Sequence, residues 1–129
     1  MLLLDTNIWI AFLKRDRTIL ARLRETSPTE VRLCSVVKAE LLYGARKSQR
    51  VEQNLRTLEI LFGLYQSLGF DDEAAHDYGA LRAQLEREGR PIGGNDLLIA
   101  SIAVASDLTV VTRNEREFRR VPGLRVELW

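Results

Sequence analysis

The sequence predicts an α/β protein that has a mostly parallel β-sheet with helices on both of its faces. Short apolar runs of strand length alternate along the chain with longer stretches of helical periodicity, and strands that alternate with helices usually pair in parallel. The composition, 46% hydrophobic and 29% charged, is that of a globular protein and not of a disordered one. The length, 129 residues, suits one core, so we expect a single domain over residues 1–129.

The first half of the chain contains two predicted strands and four predicted helices. The strands are the apolar run LLLD at 2–5 and the β-branched run EVRLCSVV at 30–37. The helices are NIWIAFLK at 7–14, TILARLRE at 18–25, KAELLYGARK at 38–47 and a longer one that starts at Val51. The long helix is predicted because apolar residues recur there in steps of three and four and form one stripe: Val51, Leu55, Leu58, Phe62 and Tyr65.

The second half of the chain continues the alternation. We expect a third strand in SLGFDD at 67–72, where Asp71 or Asp72 would also cap the next helix. That helix has an apolar face made of Ala74, Ala75, Tyr78, Leu81 and Leu85. After the loop EGRPIGG, the segment NDLLIASIAVAS at 95–106 is apolar on nearly all sides, which predicts a buried helix. Two further strands are predicted in LTVVT and LRVELW, separated by a turn with a helical fragment.

Cysteine content, hydropathy and charge exclude several classes of protein. The single cysteine, Cys34, cannot form an internal disulfide or build a zinc site alone, and we expect it to be a small buried residue. No apolar run approaches the ~20 residues of a membrane span, and no signal peptide is visible, so we expect a cytoplasmic protein without membrane contact. The formal net charge is +1, but basic clusters at 13–24, 45–50 and 112–120 are either solvated helix faces or contacts for phosphate.

Acidic and polar side chains follow the predicted strands, at the edge where a parallel sheet binds its ligands. Asp5 comes directly after the first strand, and the corner 112–114 closes the strand LTVVT. Asp96 lies in the first turn of the buried helix. Each acid also has a purely structural interpretation, since Asp5 could cap the helix near Asn7 and Asp96 could interact favourably with its helix dipole.

Two glutamates are further candidates for the same site. Glu40 lies on the side of its helix that carries Val37 and Tyr43, which we interpret as the core-facing side. A buried carboxylate is costly, so Glu40 should be neutral, paired with an arginine or bound to a cation. Glu117 follows Asn114 by three residues, so both could point back toward the strand end, although Glu117 could equally be surface charge.

Taken together, these oxygen donors predict a metal site. Carboxylates that meet at one sheet edge repel one another, and a divalent cation removes that repulsion. Mg²⁺ or Mn²⁺ prefers oxygen ligands, commonly bridges to phosphate, and can lower the pKa of a bound water. The one histidine, His76, cannot supply the two-histidine acid–base pair of a metal-free ribonuclease, and we expect it to be structural or on the surface.

The ordered set of motifs resembles the PIN-domain nucleases, and in particular the VapC-type toxins of toxin–antitoxin pairs. LLDTNIWI resembles the first motif of the family with its acid, Asp5, and SVVKAELLYGARKS resembles the second motif, with Glu40. The last third of the chain resembles the third and fourth motifs in one continuous piece, so Asp96 falls on the third acid and residues 114–118 on the fourth corner. Many relatives carry an aspartate where this chain has Glu117, so we rank Glu117 below the other three acids.

The resemblance implies a three-layer α/β/α fold and Mg²⁺-dependent endoribonuclease activity, with Mn²⁺ as an alternative ion. It implies that Asp5, Glu40 and Asp96 hold the metal and that Glu117 or Asn114 completes the catalytic set. It also implies inhibition by a cognate VapB-type antitoxin that grips the helices near the second motif, and commonly a homodimer.

The expected reaction is hydrolysis of RNA by a metal-activated water, which leaves a 5′-phosphate and a 3′-hydroxyl. Thr6 and Thr112 are weaker candidates for orienting Asp5 or contacting phosphate. A phosphatase of the haloacid-dehalogenase type would need an aspartate at Asn7, and a receiver domain would need a lysine at Arg113. The alternative from another functional class is a binding module of the same fold without catalysis.

Overall fold

The computed structural model describes residues 1–129 and contains one five-stranded sheet in which all neighbouring strands are parallel. The strands are β1 (Leu2–Leu4), β2 (Val31–Cys34), β3 (Gln66–Leu68), β4 (Thr109–Thr112) and β5 (Arg125–Leu128). Their order across the sheet is β3–β2–β1–β4–β5, which puts the first strand of the chain at the centre. The prediction of a parallel sheet with five strands is confirmed.

Seven α-helices flank this sheet, together with a short 3₁₀ turn at Pro28–Glu30. The helices are α1 (Thr6–Leu13), α2 (Arg17–Glu25), α3 (Ser35–Lys47), α4 (Val51–Leu64), α5 (Asp72–Arg87), α6 (Gly94–Ala105) and α7 (Glu115–Phe118). None of them is both long and apolar enough to cross a membrane.

The three central strands are covered on both faces. Successive residues of a strand point to opposite faces, so burial of two neighbours means that both faces are covered. Each central strand has such a fully buried pair: Leu3 and Leu4 in β1, Leu33 and Cys34 in β2, and Val110 and Val111 in β4. The predicted three-layer α/β/α arrangement is therefore confirmed, and Cys34 is the buried small residue that the sequence predicted.

Helix α6 is the most deeply buried helix, as its composition predicted. Six of its residues are buried, namely Leu97, Ile99, Ala100, Ser101, Ile102 and Ala103. The one hydroxyl among them does not break the apolar packing, because Ser101 Oγ donates a 2.7 Å hydrogen bond to the Leu97 carbonyl one turn earlier. The first turn of α6, which carries Asp96, is thus anchored by the rest of the helix.

Two strand boundaries differ from the sequence prediction. Strand β2 ends at Cys34 and α3 begins at Ser35, so Val36 and Val37 are helical rather than extended. Their β-branched side chains predicted a strand, but burial of Val37 in the core from the helix outweighs that modest preference. Strand β3 lies at the sheet edge, over residues 66–68 rather than 67–72, and has mostly exposed side chains, so no alternation in the sequence marks it.

The start of α5 distinguishes the two aspartates that could cap it. Asp71 is the N-cap residue, and its Oδ1 accepts a 3.0 Å hydrogen bond from the Ala74 backbone N–H. Asp72 is the first helical residue and is exposed. Asp71 therefore satisfies one of the otherwise unpaired N–H groups of the first turn, whereas Asp72 contributes only its charge.

We expect the substitution Asp71→Ala to lower the free energy of unfolding by about 1 kcal/mol, because the Ala74 N–H loses its acceptor. The matched substitution Asp72→Ala removes the same charge and should cost only a few tenths of a kcal/mol. Urea unfolding followed by circular dichroism measures both values. Equal losses in the two variants would contradict the capping role.

Candidate metal centre

The four acids that the sequence singled out come together beyond the carboxyl ends of β1 and β4. Asp5 follows β1 directly, Glu40 lies in the second turn of α3, Asp96 in the first turn of α6 and Glu117 on α7. Their proximity shows in their electrostatics, since the negative charges of the other three acids all raise the pKa of Asp96. Parts of the chain that are far apart in sequence thus meet at the edge that the topology predicts.

Asp5 is buried and is held by two hydrogen bonds. Its Oδ1 accepts from the Thr6 backbone N–H at 2.8 Å, and its Oδ2 accepts from the Thr112 hydroxyl at 2.9 Å. Asp5 is the N-cap residue of α1, but it bonds the adjacent N–H instead of those two or three residues on. Burial raises the pKa of Asp5, and the charge of Glu40 adds to this, while the two hydrogen bonds lower it.

The Thr112 hydroxyl orients Asp5 at the end of β4. Thr112 is fully buried, and besides donating to Asp5 its Oγ1 accepts from the Asn114 backbone N–H at 2.9 Å. The Asn7 side chain makes two contacts here. Its Nδ2 lies 3.5 Å from Thr112 Oγ1, and its Oδ1 accepts a 3.3 Å hydrogen bond from the Arg113 backbone N–H. Asn114 contributes its backbone here, while its side chain is exposed. The corner after β4 is therefore a fixed support for the Asp5 carboxylate.

Glu40 lies outside the core, contrary to the sequence interpretation. The core-facing side of α3 is formed by Val37, Leu41 and Ala45, whereas Tyr43 is 64% exposed and Glu40 is half-buried. The ion pair with an arginine, which was one alternative, is not formed. Instead Glu40 Oε1 accepts a 2.7 Å hydrogen bond from the Thr6 hydroxyl, so Thr6 joins the first two acids of the site.

Asp96 and Glu117 are neighbouring carboxyl groups whose pKa values shift in opposite directions. Burial raises the pKa of Asp96 to about 8, assisted by its hydrogen bond to Glu117 and by the surrounding negative charges. That hydrogen bond, the Gly93 backbone N–H at 3.4 Å and the charge of Arg120 lower the pKa of Glu117. Burial penalises a charge on Asp96 more than on Glu117, so the opposite directions of the two pKa shifts favour Asp96 as the member that carries the proton.

The loop before α6 is shaped to admit this pair. A methyl group added at Gly93 would lie 3.6 Å from Glu117 Oε2 and 3.9 Å from Asp96 Oδ2, so both carboxyl groups face this glycine. Arg120 Nη1 donates to the Pro91 carbonyl at 2.8 Å and holds the loop against α7. Glu117 therefore lies beside Asp96 and Gly93, with its side chain only partly buried.

The donor set suits a hard divalent cation, although no three His, Cys, Asp or Glu side chains stand close enough to form a ready-made metal cage. Every candidate donor is a carboxylate oxygen, which is the ligand type of Mg²⁺ and Mn²⁺. Mg²⁺ retains several waters and is usually bound through one or two carboxylates, so a complete cage is not required. The proton shared by Asp96 and Glu117 marks where a cation would relieve like-charge repulsion.

The sequence analysis missed one element of the site, the ion pair between Arg113 and Asp16. Arg113 Nη2 lies 3.0 Å from Asp16 Oδ2 and fixes the turn between α1 and α2 beside the corner after β4. Nothing in the sequence links two residues so far apart. The contact of Asn7 with the corner after β4 was more accessible to prediction, because Asn7 follows Thr6 in the same motif as Asp5.

The fold and this cluster define a class, a parallel α/β protein with an acidic site at the carboxyl edge of its sheet. The PIN domain family model matches residues 2–124. The chain is 41% identical over 127 residues to the tRNA(fMet)-specific endonuclease VapC of Shigella flexneri, and 40% identical over 129 residues to Ribonuclease VapC2 of Rickettsia felis. Each alignment covers 98% of this chain and 96% of the relative. The chain belongs to the PIN domain family.

Solved structures agree with this assignment. The fold superposes with a TM-score of 0.92 on a chain of VapBC2 from Rickettsia felis bound to a promoter DNA fragment, at 39% identity, covering 99% of this chain and 98% of that one. It superposes equally well on DNA-bound VapBC from Salmonella typhimurium, with a TM-score of 0.92 at 37% identity, covering 99% and 97% of the two chains.

The shared proton makes the stability of the metal-free protein depend on pH. The folded-state pKa of Asp96, about 8, lies above the ordinary value of 3.8, so its contribution is complete below about pH 4 and is lost as pH rises through about 8. The pKa of Glu117 is lowered, so its contribution to stability changes only at acid pH. Between about pH 5 and about pH 9 we expect the free energy of unfolding to fall by about 1–2 kcal/mol, after allowance for solvent screening.

The substitution Asp96→Asn should remove most of this fall, because an amide donates to Glu117 without a titratable proton; the part that remains comes from Asp5, whose pKa is also raised. Thermal unfolding in EDTA across this pH range compares wild type, Asp96→Asn and the control Glu59→Gln, an exposed acid on α4. Parallel profiles for wild type and Asp96→Asn would show that Asp96 does not hold the proton.

Proposed function

We propose that this protein is a divalent-metal-dependent endoribonuclease and that it acts as the toxin of a VapBC-type toxin–antitoxin pair. The observation that carries the proposal is that Asp5, Glu40, Asp96 and Glu117 lie near one another. Their hydrogen-bond partners are hydroxyl, backbone N–H and carboxyl groups. Carboxylates with a purely structural role are normally paired with lysine or arginine, and no lysine or arginine side chain bonds to Asp5, Glu40 or Asp96. The names of the relatives, which describe ribonucleases and an endonuclease, support the same activity.

Asp5, Glu40 and Asp96 are the proposed metal ligands, directly or through water, and Glu117 completes the catalytic set. Asp5 and Asp96 are the best placed, because their raised pKa values mean that both carboxylates would gain most from a cation. Mg²⁺ is the proposed ion, with Mn²⁺ as an alternative. When bound, the ion would activate a water and withdraw charge from the scissile phosphate.

The remaining residues of the site hold the acids in position. Thr112 and the Thr6 N–H keep both oxygens of Asp5 directed, and the Thr6 hydroxyl directs Glu40. Glu117, once Asp96 has released its proton, is a base that can receive the proton of the attacking water. His76 is exposed on α5, and a single histidine cannot supply the two-histidine pair of a metal-free ribonuclease, so the proposed nucleophile is water and not the 2′-hydroxyl of RNA. Attack at phosphorus breaks the bond to the 3′-oxygen, which takes a proton from solvent, so the products are a 5′-phosphate and a 3′-hydroxyl.

Cleavage of RNA tests this mechanism. We expect Mg²⁺-dependent cleavage that EDTA stops and that Asp5→Asn reduces at least about a hundredfold, because the substitution removes the central buried carboxylate. Glu59→Gln should cleave like wild type. Mapping of the product ends distinguishes the mechanism from attack by the 2′-hydroxyl, which would leave a cyclic phosphate. If wild type with Mg²⁺, wild type with EDTA and Asp5→Asn behave alike, the protein is the catalytically silent binding module.

The proposed antitoxin site is a groove of about 550 Å³ between α1, α3 and α4. Its wall includes Ile10, Leu13, Leu41 and Leu58, and Glu40 stands at its boundary with the acidic site. Helices α3 and α4 carry further exposed apolar side chains: Leu42 (39%), Tyr43 (64%), Ile60 (69%) and Leu64 (61%). A surface of this kind marks a protein interface. The solved relatives are VapBC complexes, which supports a VapB-type partner, and a second copy of this chain is the other proposed partner.

Filling the groove tests the antitoxin site. Gly44 lines the groove, and a side-chain carbon added there would meet no other atom within 4 Å, so Gly44→Leu should occupy the groove without disturbing α3. The control Gly79→Leu makes the same change in an equally open position on α5. We expect Gly44→Leu to weaken inhibition by the product of the adjacent upstream gene at least about tenfold while RNA cleavage persists. Equal inhibition of both variants would place the partner elsewhere.

A further inference from the structure

The turn between α1 and α2 carries an uncompensated positive charge next to the acidic site. Lys14, Arg15 and Arg17 are all exposed, and none of them takes part in an ion pair. The acid among them, Asp16, is already paired with Arg113. The basic turn, defined as residues 14–17, therefore presents three cations to solvent.

The local structure does not explain why arginine stands at either of two positions in the basic turn. Arg15 has a φ of 62°, in the left-handed region that favours glycine or asparagine. Arg17 is the first residue of α2, where the positive end of the helix dipole disfavours a cation. Side chains that break a local preference without an internal partner are candidates for an external one.

The basic turn is fixed in position beside the acidic site. Asp16 Oδ1 accepts from the backbone N–H groups of Thr18 and Ile19, at 3.0 and 3.2 Å, while its Oδ2 pairs with Arg113 at 3.0 Å. Arg113 directly follows Thr112, whose hydroxyl bonds to Asp5. One ion pair and one hydrogen bond therefore connect the basic turn to the central carboxylate.

We propose that Arg15 and Arg17 bind the backbone phosphates that flank the scissile bond of the RNA, which rests on the function proposed above. The acidic site itself repels a polyanion, so productive binding needs cations outside it at a fixed distance. Arginine suits this role because its guanidinium donates to phosphate in a planar, paired geometry. Such contacts act on any sequence and fix the strand's path across the edge without reading its bases.

Two pairs of variants test the proposal. Arg15→Gly removes a cation and relieves the left-handed backbone, and the control Asp107→Gly relieves the backbone in the same way, without removing a cation, at the other non-glycine residue with positive φ, which lies at the opposite sheet edge before β4. Arg17→Gln removes a cation from the start of α2, and Arg22→Gln removes one from its last turn. Binding of a short fluorescein-labelled single-stranded RNA is measured by anisotropy in EDTA over a range of salt concentrations, and kcat and KM are measured with Mg²⁺.

Arg15→Gly and Arg17→Gln should each weaken RNA binding about three- to tenfold at low salt and make the dependence of log K on log salt less steep by about 0.7. KM should rise with kcat little changed, and the melting temperature of Arg15→Gly should stay equal to or exceed that of wild type. Asp107→Gly and Arg22→Gln should bind and cleave as wild type does.

An unchanged salt dependence in both arginine variants would overturn the proposal, as would a wild type that does not bind RNA at all. Loss of antitoxin affinity with intact RNA binding would assign the basic turn to the protein interface and also overturn it. If wild type binds RNA but does not cleave it, the hydrolysis proposal fails while the phosphate contact is still measured.

Discussion

The crowding of carboxyl groups at one edge of the sheet is the constraint on which the rest of this structure depends. Burial and neighbouring charge raise the pKa values of Asp5 and Asp96, so the metal-free protein holds its acids together at a cost. It lowers this cost by a shared proton and by hydroxyl and amide donors, without any buried arginine. A proton or a hydroxyl contact can be exchanged for a cation without moving the backbone, whereas an arginine side chain would have to leave.

The geometry of the sheet explains how such a cluster can be tolerated. Asp5 follows the central strand, and Thr112 ends the adjacent β4. Their hydrogen bond therefore joins two strands whose preceding residues are fully buried, namely Leu3 and Leu4 in β1 and Val110 and Val111 in β4. Thr6 then connects Asp5 to Glu40 on α3. The orientation of each carboxylate therefore depends on elements that the core already fixes, and this preorganisation is what catalysis by positioned charges requires.

The fold and most of the site could be predicted from the sequence, because both follow from local patterns and topology. Short strand-length patterns predicted five strands, and the rule that parallel strands bind ligands at their carboxyl ends placed Asp5 and the corner 112–114 at one edge. The resemblance to the family then added Asp96 to the same site. The failures are physical and specific. Val36 and Val37 favour a strand locally but gain more from packing on a helix, and β3 is an edge strand whose exposed residues carry no alternation. The side of α3 on which Glu40 lies depends on how α4 packs, and the Asp16–Arg113 pair depends on tertiary structure alone.

The proposed antitoxin groove and the basic turn share a boundary, which has a consequence for regulation. Lys14 belongs to the basic turn and also lines the groove that Glu40 closes at the catalytic edge. A polypeptide lying in the groove would therefore contact both Glu40, a proposed metal ligand, and Lys14, a cation of the basic turn. Such a partner would exclude RNA without altering the fold, because the groove, the acids and the turn all stand on elements anchored in one core. Inhibition would then need only occupancy, and it would be reversed by removing the partner.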